Sequence, residues 1–242
     1  MKLLFIIDPP DTLKAYKDTS VAMMRAAQAR GHAVHVCEQT SLAWRDGSVS
    51  AQALRIALAD NDEDWYRPHE HARAALESFD AVLMRKDPPF DMEYVASTWL
   101  LGEAERRGAR VFNAPRALRD HNEKFAIAEF ARYAAPSLVT REAQALHAFI
   151  EEQREVVLKR LDGMGGASIF RVRADDPNRN VIVEIMAQDG SRSVMAQRYI
   201  PEIRDGDKRL ILIDGRPVPH ALARIPKPGD SRGNLAAGAR GV

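Results

Sequence analysis

The first forty residues carry the pattern that most constrains the fold. Leu3–Ile7 is a continuous apolar run, which is typical of a strand that is buried on both faces. Ser20 can cap a helix that ends near Arg30, where Gly31 follows, and Ala33–Cys37 predicts a second strand. Because two strands joined through a helix run parallel, this segment predicts an α/β domain with an open parallel sheet.

The alternation of strands and helices continues to about residue 112. We predict a helix over Glu70–Ser78, a strand over Ala81–Met84, a helix over Asp91–Arg107 and a strand over Arg110–Phe112. The segment from residue 40 to residue 68 has no clear pattern. These elements predict a first domain over residues 1–121.

Beyond residue 121 the pattern changes to that of a more antiparallel α+β domain, over residues 122–242. Asn122 can cap a helix through Arg132, and Thr140 can cap another through Glu152. The tail from Ile225 to Val242 is broken by Gly and Pro, so we predict a loop and expect a chain that is incomplete at its C-terminus. The remaining segments predict strands or short elements: Glu155–Lys159, Ile169–Val172, Val181–Ala187, Val194–Tyr199, Arg209–Ile213 and Pro217–Arg224.

Composition excludes several classes of function. The 35 Lys and Arg residues balance 34 Asp and Glu residues, which gives no case for nucleic-acid binding or a polybasic membrane anchor. The N-terminal apolar run stops at Asp8, short of a signal peptide, and no apolar stretch approaches the ~20 residues of a membrane span. The single cysteine, Cys37, fits a reducing compartment. We therefore expect a cytoplasmic protein.

The segment Asp162–Ser168 is the sharpest local signal. Gly163, Gly165 and Gly166 lie between two predicted strands, with Lys159 just before them. Glycines let backbone N–H groups approach an anion, and a lysine adds a positive charge for phosphate. Neither GxGxxG after the first strand nor GxxxxGK[ST] is present. The alternative is an ordinary hairpin turn.

Isolated cations mark two further candidate positions. Arg85 and Lys86 follow a predicted strand, and ligands in open α/β sheets bind at the carboxyl ends of strands. Lys124 lies in a predicted first helical turn, where a cation opposes the helix dipole and an anionic partner would offset it. The alternatives are a charged turn held by two prolines and a solvated lysine.

A third group of charges follows the turn at residues 205–206. Asp207 and Arg209 are two residues apart on a predicted strand, so they share a face. Arg224 and Arg232 add two guanidinium groups. Clustered arginines suit a substrate with several carboxylates or a phosphoryl group in transfer. The alternative is a plain hairpin.

Together these segments resemble the bacterial glutathione synthetases, a family of ATP-grasp ligases. The resemblance implies a pre-ATP-grasp domain over residues 1–121 and an ATP-grasp domain over residues 122–242 that lacks its C-terminal part. The strings DGMGGASIFRV and RGNLAAG are the most specific. The matching segments are MRKDPPFDMEY (84–94), NEK (122–124), LKRLDGMGGASIFRV (158–172), DGDKR (205–209) and LARIPKPGDSRGNLAAGARG (222–241).

The family resemblance implies an activity and its cofactors. ATP and Mg²⁺ would be used to join γ-glutamylcysteine to glycine, through an acyl phosphate on the cysteinyl carboxylate, which gives glutathione, ADP and phosphate. The partners would be these small molecules, without nucleic acid or membrane, in a homo-oligomer. The alternatives are a non-catalytic nucleotide-binding remnant and another ATP-grasp carboxylate–amine ligase, such as a D-alanine–D-alanine type.

The resemblance also implies roles for individual residues. The Mg²⁺ ligands of the family would lie beyond Val242, with none in this chain, and Arg160 stands where the family usually has proline. Substrate contacts would come from Arg85 and Asn234, and catalytic contacts from Arg209, Arg224 and Arg232. The ATP-binding residues would be Lys124, Lys159, Gly163, Gly165, Gly166, Gln197, Arg198, Ile200 and Asp207.

Overall fold

A computed structural model describes residues 1–86, 89–229 and 232–242 of the chain. The chain divides into two compact units, Met1–Asn122 and Glu123–Val242. Within the described ranges, none of the helices has the length and apolar character that crossing a bilayer requires.

The first unit is built on a mixed seven-stranded sheet. Its strands are ordered β3-β4-β2-β1-β6-β7, and β5 pairs with β4. In chain order its elements are β1 (Lys2–Ile7), α1 (Thr19–Ala29), β2 (Ala33–Glu38), β3 (Ala43–Arg45), β4 (Ser48–Leu58), β5 (Tyr66–Ala75), β6 (Ala81–Met84), α2 (Met92–Arg106), β7 (Val111–Phe112) and α3 (Pro115–Asp120).

The centre of this sheet confirms the predicted parallel arrangement. Strand β1 is parallel to both β2 and β6, and β6 is parallel to β7. Leu4 and Ile6 belong to the core cluster that contains Leu101 of α2, whereas Phe5 and Ile7 belong to the cluster that contains Met24 of α1. The alternation of β1 therefore supplies two cores, which explains why its sequence is apolar throughout.

Two details of the first unit differ from the sequence prediction. Helix α1 is capped by Asp18 rather than Ser20, since the Asp18 carboxylate accepts from the backbone N–H groups of Ser20 and Val21 at 2.7 and 3.1 Å. The predicted helix over Glu70–Ser78 is wrong, because most of it lies in β5, paired antiparallel with β4. Strand pairing overrides the helix propensity of this Ala- and Arg-rich segment.

The second unit contains a four-stranded sheet, ordered β10-β9-β11-β8, and a three-stranded sheet, ordered β12-β13-β14. Its elements are β8 (Ser137–Thr140), α4 (Ala143–Gln153), β9 (Glu155–Arg160), β10 (Ile169–Arg173), α5 (Arg179–Ala187), β11 (Val194–Arg198), β12 (Asp207–Ile213), β13 (Arg216–Ile225) and β14 (Arg240–Gly241).

Three expectations for the second unit need correction. The segment predicted as a helix from Asn122 is a 3-10 helix over Phe125–Tyr133. The segment Val181–Ala187, predicted as a strand or short element, lies in helix α5, because Val183, Met186 and Ala187 are buried at helical spacing. The tail predicted as a loop contains β14, which pairs with β13.

The four-stranded sheet has one face covered by α4 and α5. Val156 and Leu158 of β9 are fully buried in a cluster with Leu146 and Ile150 of α4. Because side chains alternate along a strand, Val157 and Lys159 face the other side of the sheet. That face carries the candidate site.

Candidate active site

A cavity of 310 Å³ lies within the second unit, on the face of β9 and β11 opposite α4 and α5. It brings together nine of the residues that the sequence analysis singles out. The lining residues are Lys124, Val157, Lys159, Ile169, Gln197, Arg198, Tyr199, Ile200, Ile203, Asp207, Arg224, Arg232, Gly233 and Asn234. Its volume is at the lower end of the range for small-molecule sites.

Two lysines share one end of this cavity. Lys159 Nζ donates a hydrogen bond to Gln197 Oε1 at 2.8 Å, and the Gln197 amide in turn donates to Ser137 Oγ at 3.0 Å. Burial lowers the pKa of Lys159, and the nearby charge of Lys124 lowers it further. Two cations that are close together and partly desolvated favour a bound polyanion, because its charge offsets both effects.

The glycine segment forms the connection between β9 and β10, beside the two lysines. Lys124 Nζ donates to the carbonyl oxygen of Gly163 and also contacts Glu123 at 2.8 Å. Gly165 and Gly166 adopt left-handed backbone conformations, with φ of 63° and 86°. A Cβ at Gly166 would lie 3.2 Å from Asn234 Oδ1, so a side chain there would press on the residue across the gap. The segment is therefore more than an ordinary hairpin turn: it approaches both Lys124 and Asn234.

Asp207 and Arg224 form a two-point ion pair in the wall of the cavity. They are directly opposite in the β12–β13 ladder, and Arg224 Nε and Nη2 donate to Asp207 Oδ1 and Oδ2 at 2.7 and 2.6 Å. The hydrogen bonds from Arg224 to Asp207 raise the pKa of the guanidinium. Arg224 is thus held as a permanent, oriented cation.

The segment Arg232–Asn234 covers this ion pair and reaches the glycine segment. Arg232 Nη1 donates to the carbonyl oxygen of Gly166 at 3.4 Å. Gly233 packs so closely on Asp207 that a Cβ would lie 2.7 Å from Oδ2. Only a residue without a side chain fits there without displacing one of the two partners.

Five predicted site residues are not among the lining residues: Gly163, Gly165 and Gly166 of the glycine segment, and Arg209 and Arg85. Arg209 is exposed on β12, and its ladder partner is Leu222. Arg85, in the first unit, follows β6 and donates to Ser20 Oγ and Thr19 Oγ1 at 3.2 and 3.0 Å. Within the second unit, Arg209 is therefore not part of the cavity wall.

Most of the apolar part of the lining was missed by the sequence analysis, which named only Ile200. Val157, Ile169 and Ile203 contribute apolar surface next to the lysines. Tyr199 is buried, and the guanidinium carbon of Arg171 lies 3.9 Å from its ring centroid. The alternation of β9 could have placed Val157 on the same face as Lys159, but nothing in the sequence brings Ile203 to that face.

The described residues contain no preformed cluster of protein ligands for a metal ion. In residues 1–86, 89–229 and 232–242, no group of three or more His, Cys, Asp or Glu side chains is arranged to hold a metal ion. Asp207 is the one carboxylate among the residues that line the cavity, and both of its oxygens accept from Arg224. This carboxylate is therefore already occupied by a cation.

The comparisons with known proteins agree with this geometry. The model of the prokaryotic glutathione synthetase N-terminal domain matches residues 1–119, and that of the prokaryotic glutathione synthetase ATP-grasp domain matches residues 123–242. The glutathione synthetases of Ralstonia nicotianae and Nitrosomonas europaea are 57% and 55% identical to the whole of this chain, which spans 74% and 77% of their lengths.

A solved structure supports the fold independently. The ATP-grasp ligase PsnB, complexed with minimal precursor, matches with a TM-score of 0.58 at 19% identity, over 98% of this chain and 74% of its own. The predicted fold class and family are confirmed. The chain belongs to the prokaryotic glutathione synthetase family, whose members are ATP-dependent, peptide-forming ligases of the ATP-grasp fold.

Proposed function

We propose that this chain joins γ-glutamylcysteine to glycine at the expense of ATP, giving glutathione, ADP and phosphate. The observation that carries the proposal is the convergence of Lys124, Lys159 and the glycine segment with Arg224 and Arg232 on one cavity. Membership of the glutathione synthetase family supports the choice of substrates.

The cationic end of the cavity suits a triphosphate. Among the described residues, five cationic side chains and one carboxylate line the cavity, and the carboxylate is neutralised by Arg224. Phosphates would lie against Lys124 and Lys159 under the backbone of Gly163–Gly166, while Val157, Ile169 and Ile203 would contact the base. In this assignment Gln197, Arg198, Ile200 and Asp207 contact the nucleotide as well.

The first chemical step is a phosphoryl transfer that needs no general base. A peptide carboxylate is already ionised at neutral pH. One of its oxygens bonds to the γ-phosphorus while the bond from that phosphorus to the bridging oxygen breaks, and ADP leaves. Arg224 and Arg232 would orient the carboxylate and balance charge on the transferring group.

In the second step the glycine amine attacks the acyl phosphate carbon. The amine attacks as the free base, the carbon–oxygen bond to phosphate breaks, and inorganic phosphate leaves with the bonding electrons and accepts the proton that the amine loses. An acyl phosphate also reacts with water, so the site must exclude solvent. Arg232, which donates to the Gly166 carbonyl oxygen, and Asn234, which lies beside Gly166, would provide cover for this purpose. A substrate role for Arg85 and a catalytic role for Arg209 stay predictions.

We also propose two domains, 1–121 and 122–242, a homo-oligomeric state and a cytoplasmic location. The division of the chain into compact units after Asn122 supports the first, and family resemblance supports the others. Light scattering on the purified chain would measure the oligomeric state, and a monomer would contradict that part of the proposal.

The test is ADP release by the purified chain with ATP and Mg²⁺. We expect release that requires both γ-glutamylcysteine and glycine, with glutathione formed in equal amount. Lys208→Met is the matched control for cavity variants, because Lys208 is an exposed lysine of β12 outside the cavity lining. Release that is independent of either substrate would refute the proposed reaction.

One observation favours a second candidate, nucleotide binding without turnover. Among the described residues, no group of three or more His, Cys, Asp or Glu side chains is arranged to hold a metal ion. Titration calorimetry with ATP separates the two functions. ATP binding without ADP release supports the second candidate, whereas turnover supports the first.

A further inference from the structure

A cluster of three charged residues lies at the base of the glycine segment. Arg160 Nε and Nη2 donate to Asp162 Oδ1 and Oδ2 at 3.0 and 2.9 Å, and Arg192 Nη1 donates to Asp162 Oδ2 at 2.6 Å. One carboxylate therefore accepts three charge-assisted hydrogen bonds from two guanidinium groups. We call these three residues the loop-base cluster.

The two arginines are themselves held by the fold. Arg160 is the last residue of β9, where alternation puts it on the face of the buried Val156 and Leu158, opposite to Lys159. Arg192 follows helix α5, donating from Nε to Gln188 Oε1 at 3.2 Å and from its backbone N–H to the Ala187 carbonyl at 2.9 Å. The cluster thus ties Asp162 to the end of a central strand and to the end of a helix.

Two arginines neutralise the negative charge of Asp162 next to the proposed phosphate site. The hydrogen bonds from Arg160 lower the pKa of Asp162, and the charge of Arg192 lowers it further. Asp162 immediately precedes Gly163, whose carbonyl accepts from Lys124. An uncompensated carboxylate at this point would repel phosphates beside Lys124, whereas a carboxylate shared by two guanidinium groups leaves the local charge positive.

We propose that Arg160, Asp162 and Arg192 are positioning residues of the ATP site. They fix the position at which the glycine segment leaves β9. From that position the Gly163 carbonyl accepts from Lys124, and Gly166 approaches Asn234. They act through the segment and do not line the cavity themselves. This role rests on the proposed ATP site, and it adds residues to that site that lie on the opposite face of the sheet.

The test compares ATP and AMP binding to Asp162→Asn by titration calorimetry. The control is Asp175→Asn, which removes a carboxylate from another Arg–Asp pair of this unit, with Arg173 at 2.8 Å, outside the cavity lining. We expect Asp162→Asn to weaken ATP binding about tenfold, or ~1.4 kcal/mol, and to leave AMP binding unchanged, because in the proposed site the segment would face the β- and γ-phosphates. Asp175→Asn should change neither.

A purely structural effect would look different. Equal losses of ATP and AMP affinity, or ATP binding equal to that of Asp175→Asn, would overturn the positioning role while the ATP site stands. A wild-type chain that binds no ATP would overturn both. If Asp162→Asn does not fold, Arg192→Gln takes its place, since it removes the 2.6 Å bond and leaves the carboxylate with Arg160. The same ATP-against-AMP comparison then decides.

Discussion

A single methyl group at Gly233 should disable the site. A Cβ there would lie 2.7 Å from Asp207 Oδ2 and 3.1 Å from Asp207 Cγ. The first contact would have to lengthen by about 0.8 Å to reach the ~3.5 Å at which nonbonded atoms attract. Either the carboxylate moves, which stretches its 2.6 and 2.7 Å bonds with Arg224, or the chain at residue 233 lifts and carries Arg232 away from Gly166.

Either response should cost about as much free energy as the loss of one charge-assisted hydrogen bond, which is about 1.5–3 kcal/mol. We therefore expect Gly233→Ala to lower kcat/KM for ADP release by roughly 10- to 150-fold. The backbone at Gly233 lies outside the left-handed region, so alanine adds no conformational strain and the effect comes from the contact alone. The assay is substrate-dependent ADP release, with thermal unfolding measured in parallel.

Gly102→Ala is the matched control. Gly102 lies within α2, and a Cβ there would meet nothing within 4 Å. Alanine in a helix interior is favoured over glycine by about 1 kcal/mol, so this variant should unfold at a higher temperature with unchanged activity. Full activity in Gly233→Ala would refute the reasoning, because it would mean that the ion pair and the covering segment need not keep their observed positions.

Three further outcomes follow from the same contacts. Lys159→Met should weaken ATP binding by about 1.5–3 kcal/mol in calorimetry, as for a lost hydrogen bond to a charged group, whereas Lys208→Met should not. Folding lowers the pKa of Lys159. Between that lowered pKa and ~10.4, the wild-type chain therefore binds fewer protons when folded than when unfolded. Its stability should rise with pH across this window. Thermal unfolding should accordingly show that Lys159→Met is more stable than wild type at neutral pH. The difference in unfolding temperature between the two should shrink towards pH ~10.4. A difference that grows with pH would contradict the burial argument. Arg232→Ala should lower kcat more than it weakens ATP binding, and a loss confined to ATP affinity would contradict the placement of Arg232 over Gly166.

The parallel centre of the first unit was predictable because its signal is local. Leu3–Ile7 is apolar on both faces, and a helix separates it from the next strand. The long β4–β5 hairpin was not predictable in the same way. Its outer strand exposes most of its side chains, so β5 has no apolar alternation to reveal it, and it is a strand only because β4 lies beside it.

The residues of the candidate site were also only partly predictable from the sequence. Lys159, the glycines and the arginines could be selected from residue type and spacing, because phosphate chemistry needs positive charge and bare backbone. The contacts between residues that are far apart in the sequence could not be predicted. Strand alternation placed Asp207 and Arg209 on the same face and suggested that they act together. The ion-pair partner of Asp207 is instead Arg224, which lies opposite it in the β12–β13 ladder. The loop-base cluster depends on the turn after α5 reaching the end of β9, which no local pattern encodes.

Strand β9 shows why stability and the proposed chemistry are hard to separate in this fold. Val156 and Leu158 fix its register, because their burial against α4 requires that face to point towards the helices. Lys159 then has to face the cavity, and Arg160 has to face the helices, where Asp162 and Arg192 meet it. A slip of one residue would bury a lysine in the core and expose Leu158 to the phosphates. The position of the lysine that we propose to bind phosphate is therefore set by two apolar residues that do not line the cavity.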